Sequence, residues 1–191
     1  MDHGLNPPEN FKATGVIVLA NGDVFWGKGF GAETSKVGEI CFNTSMSGYQ
    51  EIITDPSYAS QIITFTFPHI GIVGTNNEDI ETTTPASCGI IVREDVTDPS
   101  NWRNTQKLSE WMAHHDLPGI CGIDTRALTQ HIRDNGAPNG VIAFNSKGQF
   151  DIEALKKQAK EWPGLEGMDL AKQVSCTQKY DWTESVWSIE G

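Results

Sequence analysis

The chain has 191 residues, 38% of them apolar, which is enough for one sizeable core, so we expect one domain with extensions. Its formal net charge of −11 argues against nucleic acid and anionic membranes as partners, since both are bound through clustered Lys and Arg. We find neither a signal-peptide pattern nor an apolar run of the roughly 18–20 residues that cross a bilayer, so we expect a soluble, cytoplasmic protein.

The first elements in the chain are a tail and a hairpin. Residues 1–12 carry paired prolines among polar neighbours and too little apolar surface to offset the entropy of ordering, which predicts a mobile tail. Residues 15–29 form two β-rich runs around Asn21-Gly22, a strong hairpin signal. Further strands, rich in β-branched and aromatic residues, are predicted at residues 39–43, 61–67, 89–93 and 141–144.

Three helices are predicted in the second half of the chain. Thr105 is placed to cap the first, and Thr125 to cap the second, which Gly136 ends. The third covers residues 152–162 and stops before a proline. Strands dominate the first ninety residues and then alternate with helices, so we expect an α/β fold whose sheet is covered by helices on one side.

Residues 163–191 have no sustained periodicity and contain two spaced tryptophans, Trp182 and Trp187. This composition is typical of an extension that docks onto another surface. If its apolar side chains lack their cover, we expect the chain to self-associate.

One cysteine lies in a sequence that suggests a nucleophile. Small residues surround Cys121 in G-I-C-G at residues 119–122, as in a strand-to-helix nucleophile elbow. The second glycine of G-x-C-x-G falls on Ile123, however, and no His-x-Glu follows to supply the base and its partner. A buried Cys121 at the end of a strand is therefore favoured over a cysteine hydrolase, which stays the alternative.

The histidines offer little else. His114 and His115 lie at the end of a predicted helix, where capping of carbonyl groups or exposure explains them. His69 follows a strand and could be functional, although a structural hydrogen-bonding role is favoured.

Glycines, cysteines and carboxylates give no further site. Gly27, Gly29 and Gly31 lack the helix start and lysine of a phosphate loop, so we expect a β-bulge or turn. No metal-binding motif occurs, and we infer no metal site. The cysteines form no C-x-x-C pair and are expected to be reduced thiols packed as small apolar groups: Cys41, Cys88, Cys121 and Cys176.

The most unusual segment is rich in hydroxyls, amides and tyrosines. It reads F-N-T-S-M-S-G-Y-Q-E at residues 42–51 and T-D-P-S-Y at residues 54–58. A loop from Ser45 to Ser57 could present hydroxyl and backbone donors to a polar ligand, because loops on a rigid sheet often hold binding groups. From composition alone, an ordinary structured loop is favoured.

This segment closely resembles the amino-terminal domain of the carbamoyl phosphate synthetase small subunit. The resemblance continues through F-P-H-I-G at residues 67–71, I-D-T-R-A-L-T at 123–129 and G-M-D-L-A at 167–171, and covers residues 13–191. It implies a layered β/β/α swivelling-type domain at residues 13–150. Residues 151–191 would then be a helix and linker leading to a class I glutamine amidotransferase domain, so we expect this chain to be a truncated piece.

The resemblance also implies a function. The family's cysteine–histidine–glutamate triad, which releases ammonia from glutamine, belongs to that amidotransferase domain, so this chain alone is expected to be inactive. It would support that domain and the interface with the large subunit, which makes carbamoyl phosphate for arginine and pyrimidine synthesis. Ser57 matches the position that contacts glutamine. No cofactor is expected here, with ATP and a divalent metal on the large subunit. The alternative is a free-standing small-ligand binding module that uses residues 45–57.

Overall fold

The computed structural model describes residue 7 and residues 9–183. The predicted mobile tail therefore falls largely on residues 1–6 and 8, outside the described part of the chain. Seven strands close into a barrel in the order β1-β2-β6-β5-β4-β3-β7. The strands are β1 (Gly15–Leu19), β2 (Val24–Gly31), β3 (Ser35–Asn43), β4 (Gln61–Phe65), β5 (Gly89–Ile91), β6 (Pro118–Cys121) and β7 (Asn139–Phe144).

The predicted hairpin is confirmed as β1 and β2. The two strands pair antiparallel, with Val18 opposite Val24. Gly22 has a φ of 100° in the turn, a conformation that glycine adopts at little cost. The Asn21 side chain donates to Asp23 over 2.8 Å and stiffens the connection. The sequence signal works here because every contact that defines the turn is local.

Four neighbouring strands run in the same direction. β3 pairs parallel with β4, β4 with β5, and β5 with β6, whereas β1, β2 and β7 join the barrel by antiparallel pairing. The carboxyl ends of β3 to β6 therefore meet at one edge of the barrel, where ligands of open α/β sheets commonly bind.

Five α-helices are described, and three of them, α2, α3 and α4, pack against the barrel strands from different sides. α2 packs against β2 and β6, α4 lies against β1 and β7, and α3 contacts β3 and β4. The helices are α1 (Tyr49–Thr54), α2 (Leu108–His114), α3 (Thr125–Asn135), α4 (Ile152–Glu161) and α5 (Leu170–Val174). The predicted α/β class is confirmed, and the expected layered arrangement takes the form of a sheet closed on itself.

Both predicted helix caps are wrong, although the helices exist. The carboxylate of Asp124, not Thr125, accepts the Ala127 amide over 3.0 Å and caps α3, because an aspartate lies one residue earlier. Thr105 instead donates to the carbonyl oxygen of Thr75 over 2.9 Å, so α2 begins later, at Leu108. Gly136 ends α3 as predicted.

The barrel interior is one apolar cluster. All seven strands contribute to it, with β-branched residues such as Ile17, Ile62 and Ile142, and none of these three is exposed. Leu128 and Ile132 of α3 join the same cluster, so this helix closes the barrel at one end. The β1 residues between the interior positions face outward and are covered by α4, which explains why β1 is apolar throughout.

Two glycines of β2 are explained by close packing, which corrects the expected β-bulge. A Cβ atom on Gly27 would collide with the carbonyl oxygen of Cys121, and one on Gly29 would collide with the ring of Phe144. Of the three glycines Gly27, Gly29 and Gly31, only Gly31, with a φ of 77°, has a backbone conformation that favours glycine. Among the described residues, no helix has the length and apolar character to cross a lipid bilayer.

Candidate functional site

The segment around Ser57 is mostly regular structure. β3 ends at Asn43, residues 44–48 connect it to α1, and a 3-10 turn, Pro56–Tyr58, follows. The prediction of a loop at residues 45–57 is therefore correct for residues 45–48 and wrong from Tyr49, where α1 begins. The connection itself is exposed at residues 44–47, which include Met46 at 77% exposure.

Buried polar side chains attach α1 to the segment that follows β4. The Tyr49 hydroxyl donates to the Gly74 carbonyl over 2.6 Å. The side-chain NH₂ group of Gln50 donates to the backbone carbonyl of Asn76 over 2.7 Å, and the side-chain oxygen of Gln50 accepts the backbone N–H of Asn76 over 3.0 Å. Burial is the largest cause of a raised pKa for Tyr49, so its hydroxyl stays protonated. These side chains hold the fold together and are not available to a ligand.

The other end of α1 is held in the same way. The Thr54 hydroxyl accepts the Glu81 amide over 3.0 Å, and the Thr82 hydroxyl donates to the Thr54 carbonyl over 2.8 Å. Ser87 donates to the carbonyl of Ile53 over 3.0 Å. Buried polar groups in native proteins are nearly always paired, and such pairing explains Tyr49, Gln50 and Thr54 of the unusual segment.

Ser57 is different because its side chain is exposed. Its backbone amide donates to the Asp55 carboxylate over 2.7 Å, and Pro56 restricts φ at the start of the turn. The neighbouring Tyr58 hydroxyl accepts the Asn43 side-chain amide over 2.8 Å, which joins the turn to the end of β3. Within residues 9–183 the Ser57 hydroxyl makes no hydrogen bond, so one donor and its acceptor lone pairs point outward from a fixed turn.

A cavity of 750 Å³ lies next to this turn. It is open to solvent on one side and is lined by Pro56, Ala59, residues 82–86, residues 173–177 and Tyr180. The carboxyl-terminal segment thus lines the same cavity as Pro56 of the turn that carries Ser57. Trp182 is 70% exposed, whereas Trp187 lies outside the described residues, so self-association through the two tryptophans stays a prediction.

Cys121 lies at the end of β6, as the favoured interpretation predicted. Its thiol is 3.2 Å from the Asp95 carboxylate and 3.5 Å from the Lys28 carbonyl oxygen. Burial, followed by the hydrogen bond to Asp95, raises the pKa of Cys121 to about 12. A thiol that stays protonated at neutral pH is a poor nucleophile, and this finding opposes the cysteine hydrolase.

The histidines occupy structural or surface positions. His114 and His115 are at the carboxyl end of α2, as predicted, and His114 hydrogen-bonds Gln106 over 2.8 Å. The His115 ring lies 4.4 Å from that of Trp111, and burial, then His114, lowers its pKa. His69 is exposed, with its ring edge-on to Phe67.

The other thiols are free and differ in exposure. Burial is the main cause of a raised pKa for Cys41, to about 12, and for Cys88. Cys176 is exposed, so the expected apolar packing is wrong for this residue.

Among the described residues, no group of three or more His, Cys, Asp or Glu side chains is arranged to hold a metal ion.

Residues 17–142 match the family model described as carbamoyl-phosphate synthase small chain, CPSase domain. The chain is 58% identical over 174 residues to the carbamoyl phosphate synthase small chain of Zymomonas mobilis subsp. mobilis, covering 91% of this chain and 46% of that protein. The corresponding protein of Bradyrhizobium diazoefficiens is 56% identical over 180 residues, at 92% and 46% coverage.

These matches cover only part of each relative, and the structural comparison is with a more distant protein. The chain spans about half the length of the curated relatives that it matches. Among solved structures, an aminopeptidase from Aneurinibacillus sp. strain AM-1 superposes with a TM-score of 0.43 at 10% identity, over 68% of this chain and 30% of that one. A score this low carries no inference. The relatives give no support to a free-standing binding module.

Proposed function

This chain belongs to the family of carbamoyl-phosphate synthase small chains, and from that membership we propose that it is the amino-terminal, non-catalytic domain of a glutamine-hydrolysing subunit. Residues 13–150 form this domain, and residues 151–191 lead to an amidotransferase domain that releases ammonia from glutamine. A cytoplasmic large subunit, which binds ATP and a divalent metal, uses the ammonia to make carbamoyl phosphate for arginine and pyrimidine synthesis.

The family match carries the assignment to this domain, and the observation that supports a contact with glutamine is the exposed hydroxyl of Ser57 on a turn held at both ends. Asp55 fixes the amide of Ser57, and the bond between Asn43 and Tyr58 fixes the next residue. A hydroxyl held in this way loses little freedom when a ligand binds, so more of its hydrogen-bond energy is available for binding. Ser57 is proposed to contact glutamine from this domain while the catalytic cysteine acts from the amidotransferase domain.

The domain acts by positioning. Holding a substrate from two sides restricts the motions that would otherwise slow attack on its amide carbon. One neutral hydrogen bond contributes about 0.5–1.5 kcal/mol, which corresponds to roughly 2- to 12-fold in affinity. Ser57 thus strengthens glutamine binding modestly, and the catalytic residues belong to the amidotransferase domain. The raised pKa of Cys121 accords with a supporting role, because this thiol is not activated.

The test is a reconstituted enzyme in which this chain replaces the matching half of the Zymomonas mobilis small chain, combined with a large subunit. The chain alone is expected to release no ammonia from glutamine. The reconstituted enzyme is expected to use glutamine, and Ser57→Ala is expected to raise the KM for glutamine by roughly 2- to 12-fold. Synthesis from added ammonia should not change, because it bypasses the glutamine site.

Ser146→Ala is the matched control. Ser146 is exposed and hydrogen-bonds Glu33 through its backbone amide, over 3.0 Å, and through its side chain; the substitution retains the first bond and removes only the second. This variant is expected to behave as the parent with both nitrogen sources. Ammonia release by the isolated chain would overturn the assignment to a non-catalytic domain. An unchanged KM for glutamine in Ser57→Ala would remove the role of this hydroxyl.

A further inference from the structure

Three of the four arginines of the chain line a single pocket. The pocket has a volume of 570 Å³, and its walls include Arg93, Arg126 and Arg133 together with His69 and Thr66. Its size lies within the roughly 300–1,000 Å³ typical of small-molecule sites. In a chain with a net charge of −11, such a concentration of guanidinium groups runs against the overall composition.

The fold brings these residues together at the carboxyl edge of the parallel strands. Thr66 directly follows β4, and Arg93 lies two residues after β5. Arg126 and Arg133, seven residues apart, share one face of α3, which begins after β6 at the same edge. The opposite face of this helix carries Leu128 and closes the barrel interior. The arginine face is thus held by an anchored helix.

The residues that line the pocket carry a net positive charge. Glu94 is the one carboxylate in the lining, and its oxygen is 3.6 Å from Nε of Arg93. Arg133 has Asp134 beside it at 3.3 Å, on the exposed surface. Arg126 makes no hydrogen bond or ion pair within the described part of the chain. Three guanidinium groups and one lining carboxylate leave an excess of two positive charges.

A buried polar atom lies beneath the same edge. Thr64 is fully buried, and its hydroxyl has no hydrogen-bond partner among the described residues. Alternate residues of a strand share a face, so Thr64 lies on the same face of the sheet as Thr66, one pleat deeper. Such a hydroxyl is rare in native structures and calls for a partner such as a bound water or ligand.

We propose that this pocket is a binding site for a small oxyanion that carries at least two negative charges, a phosphate or a polycarboxylate. Arginine binds both groups through paired N–H donors in a planar fork. Arg126 and Arg133 on α3 and Arg93 across the pocket offer such donors from two sides. The site is separate from the turn of Ser57 and goes beyond the proposed function.

The test is titration calorimetry of the 191-residue chain with pyrophosphate and, separately, with citrate. At least one probe is expected to bind at one site, with an affinity that falls as potassium chloride is raised. Arg126→Gln is expected to weaken binding about ten-fold or more, since a hydrogen bond to a charged group contributes about 1.5–3 kcal/mol. Lys157→Gln on α4 removes one positive charge elsewhere on the surface and is expected to change affinity less than two-fold.

Two outcomes overturn the proposal. The first is the absence of binding by both probes at millimolar concentration, or binding that Arg126→Gln leaves unchanged. The second is that neither small anion binds, whereas a polyglutamate peptide binds and Arg126→Gln weakens its binding. That result would assign the pocket to an acidic segment of a protein partner. Circular dichroism melting of each variant separates loss of binding from loss of fold, and Arg133→Gln provides a second lining variant.

Discussion

Replacing Gln50 by alanine tests whether buried hydrogen bonds, and not propensity, hold α1 in place. Gln50 is 3% exposed and pairs with both the amide and the carbonyl of Asn76. The substitution leaves two buried backbone groups without partners, at about 1–3 kcal/mol each, so we expect a loss of ~2–6 kcal/mol in the free energy of unfolding. For a chain of this length this lowers the melting temperature by ~2–4 °C per kcal/mol.

The assay is urea unfolding followed by tryptophan fluorescence, with the slope of the transition compared between variants. Gln158→Ala is the matched control, because Gln158 is an exposed residue of α4, and its stability should stay within ~0.5 kcal/mol of the parent. A loss below about 1 kcal/mol for Gln50→Ala would show that the pairing with Asn76 does not fix α1, and that apolar contacts hold this helix instead.

Three further predictions follow from burial and packing. Burial, then the charge of Asp79, raises the pKa of Glu51, so ionisation of this carboxyl group destabilises the folded state as pH rises. Glu51→Gln should therefore raise the melting temperature at neutral pH. The difference from the parent should disappear at about pH 4 and below, where Glu51 is protonated in both the folded and the unfolded chain. Cys121, with a pKa near 12, should react with iodoacetamide much more slowly than exposed Cys176 in the folded chain, and equal rates by mass spectrometry would contradict the buried thiol. Gly27→Ala should destabilise by about 1–3 kcal/mol or more in urea unfolding, because its methyl group meets the carbonyl of Cys121; unchanged stability would mean that β2 and β6 can separate at no cost.

The elements that sequence patterns predicted well are those defined by local contacts. The hairpin turn depends on the adjacent residues Asn21, Gly22 and Asp23, and α4 lies within one residue of its predicted bounds because Pro163 follows Trp162. The cap of α3 was misplaced by one residue: both Asp124 and Thr125 are capping residues, but Asp is the more strongly preferred type at this position.

Features that depend on distant residues were missed. α1 is held by hydrogen bonds to partners 25–28 residues further along, so its polar side chains suggested a loop when viewed in sequence. The arginine pocket was also missed, because Arg93 and Arg126 are separated in sequence and meet only when the parallel strands align. The role of Ser57 was inferred from family resemblance, and the structure adds that its side chain is exposed.

The position of β7 has a consequence for how the polypeptide is made. This strand lies between β1 and β3, with Phe144 opposite Gly15 and Val141 opposite Val37. During synthesis the ribosome releases the amino-terminal strands first, and both neighbouring edges stay open until β7 emerges. Unpaired edges template association with other chains, so a nascent polypeptide of this topology is exposed to misassembly until β7 is added.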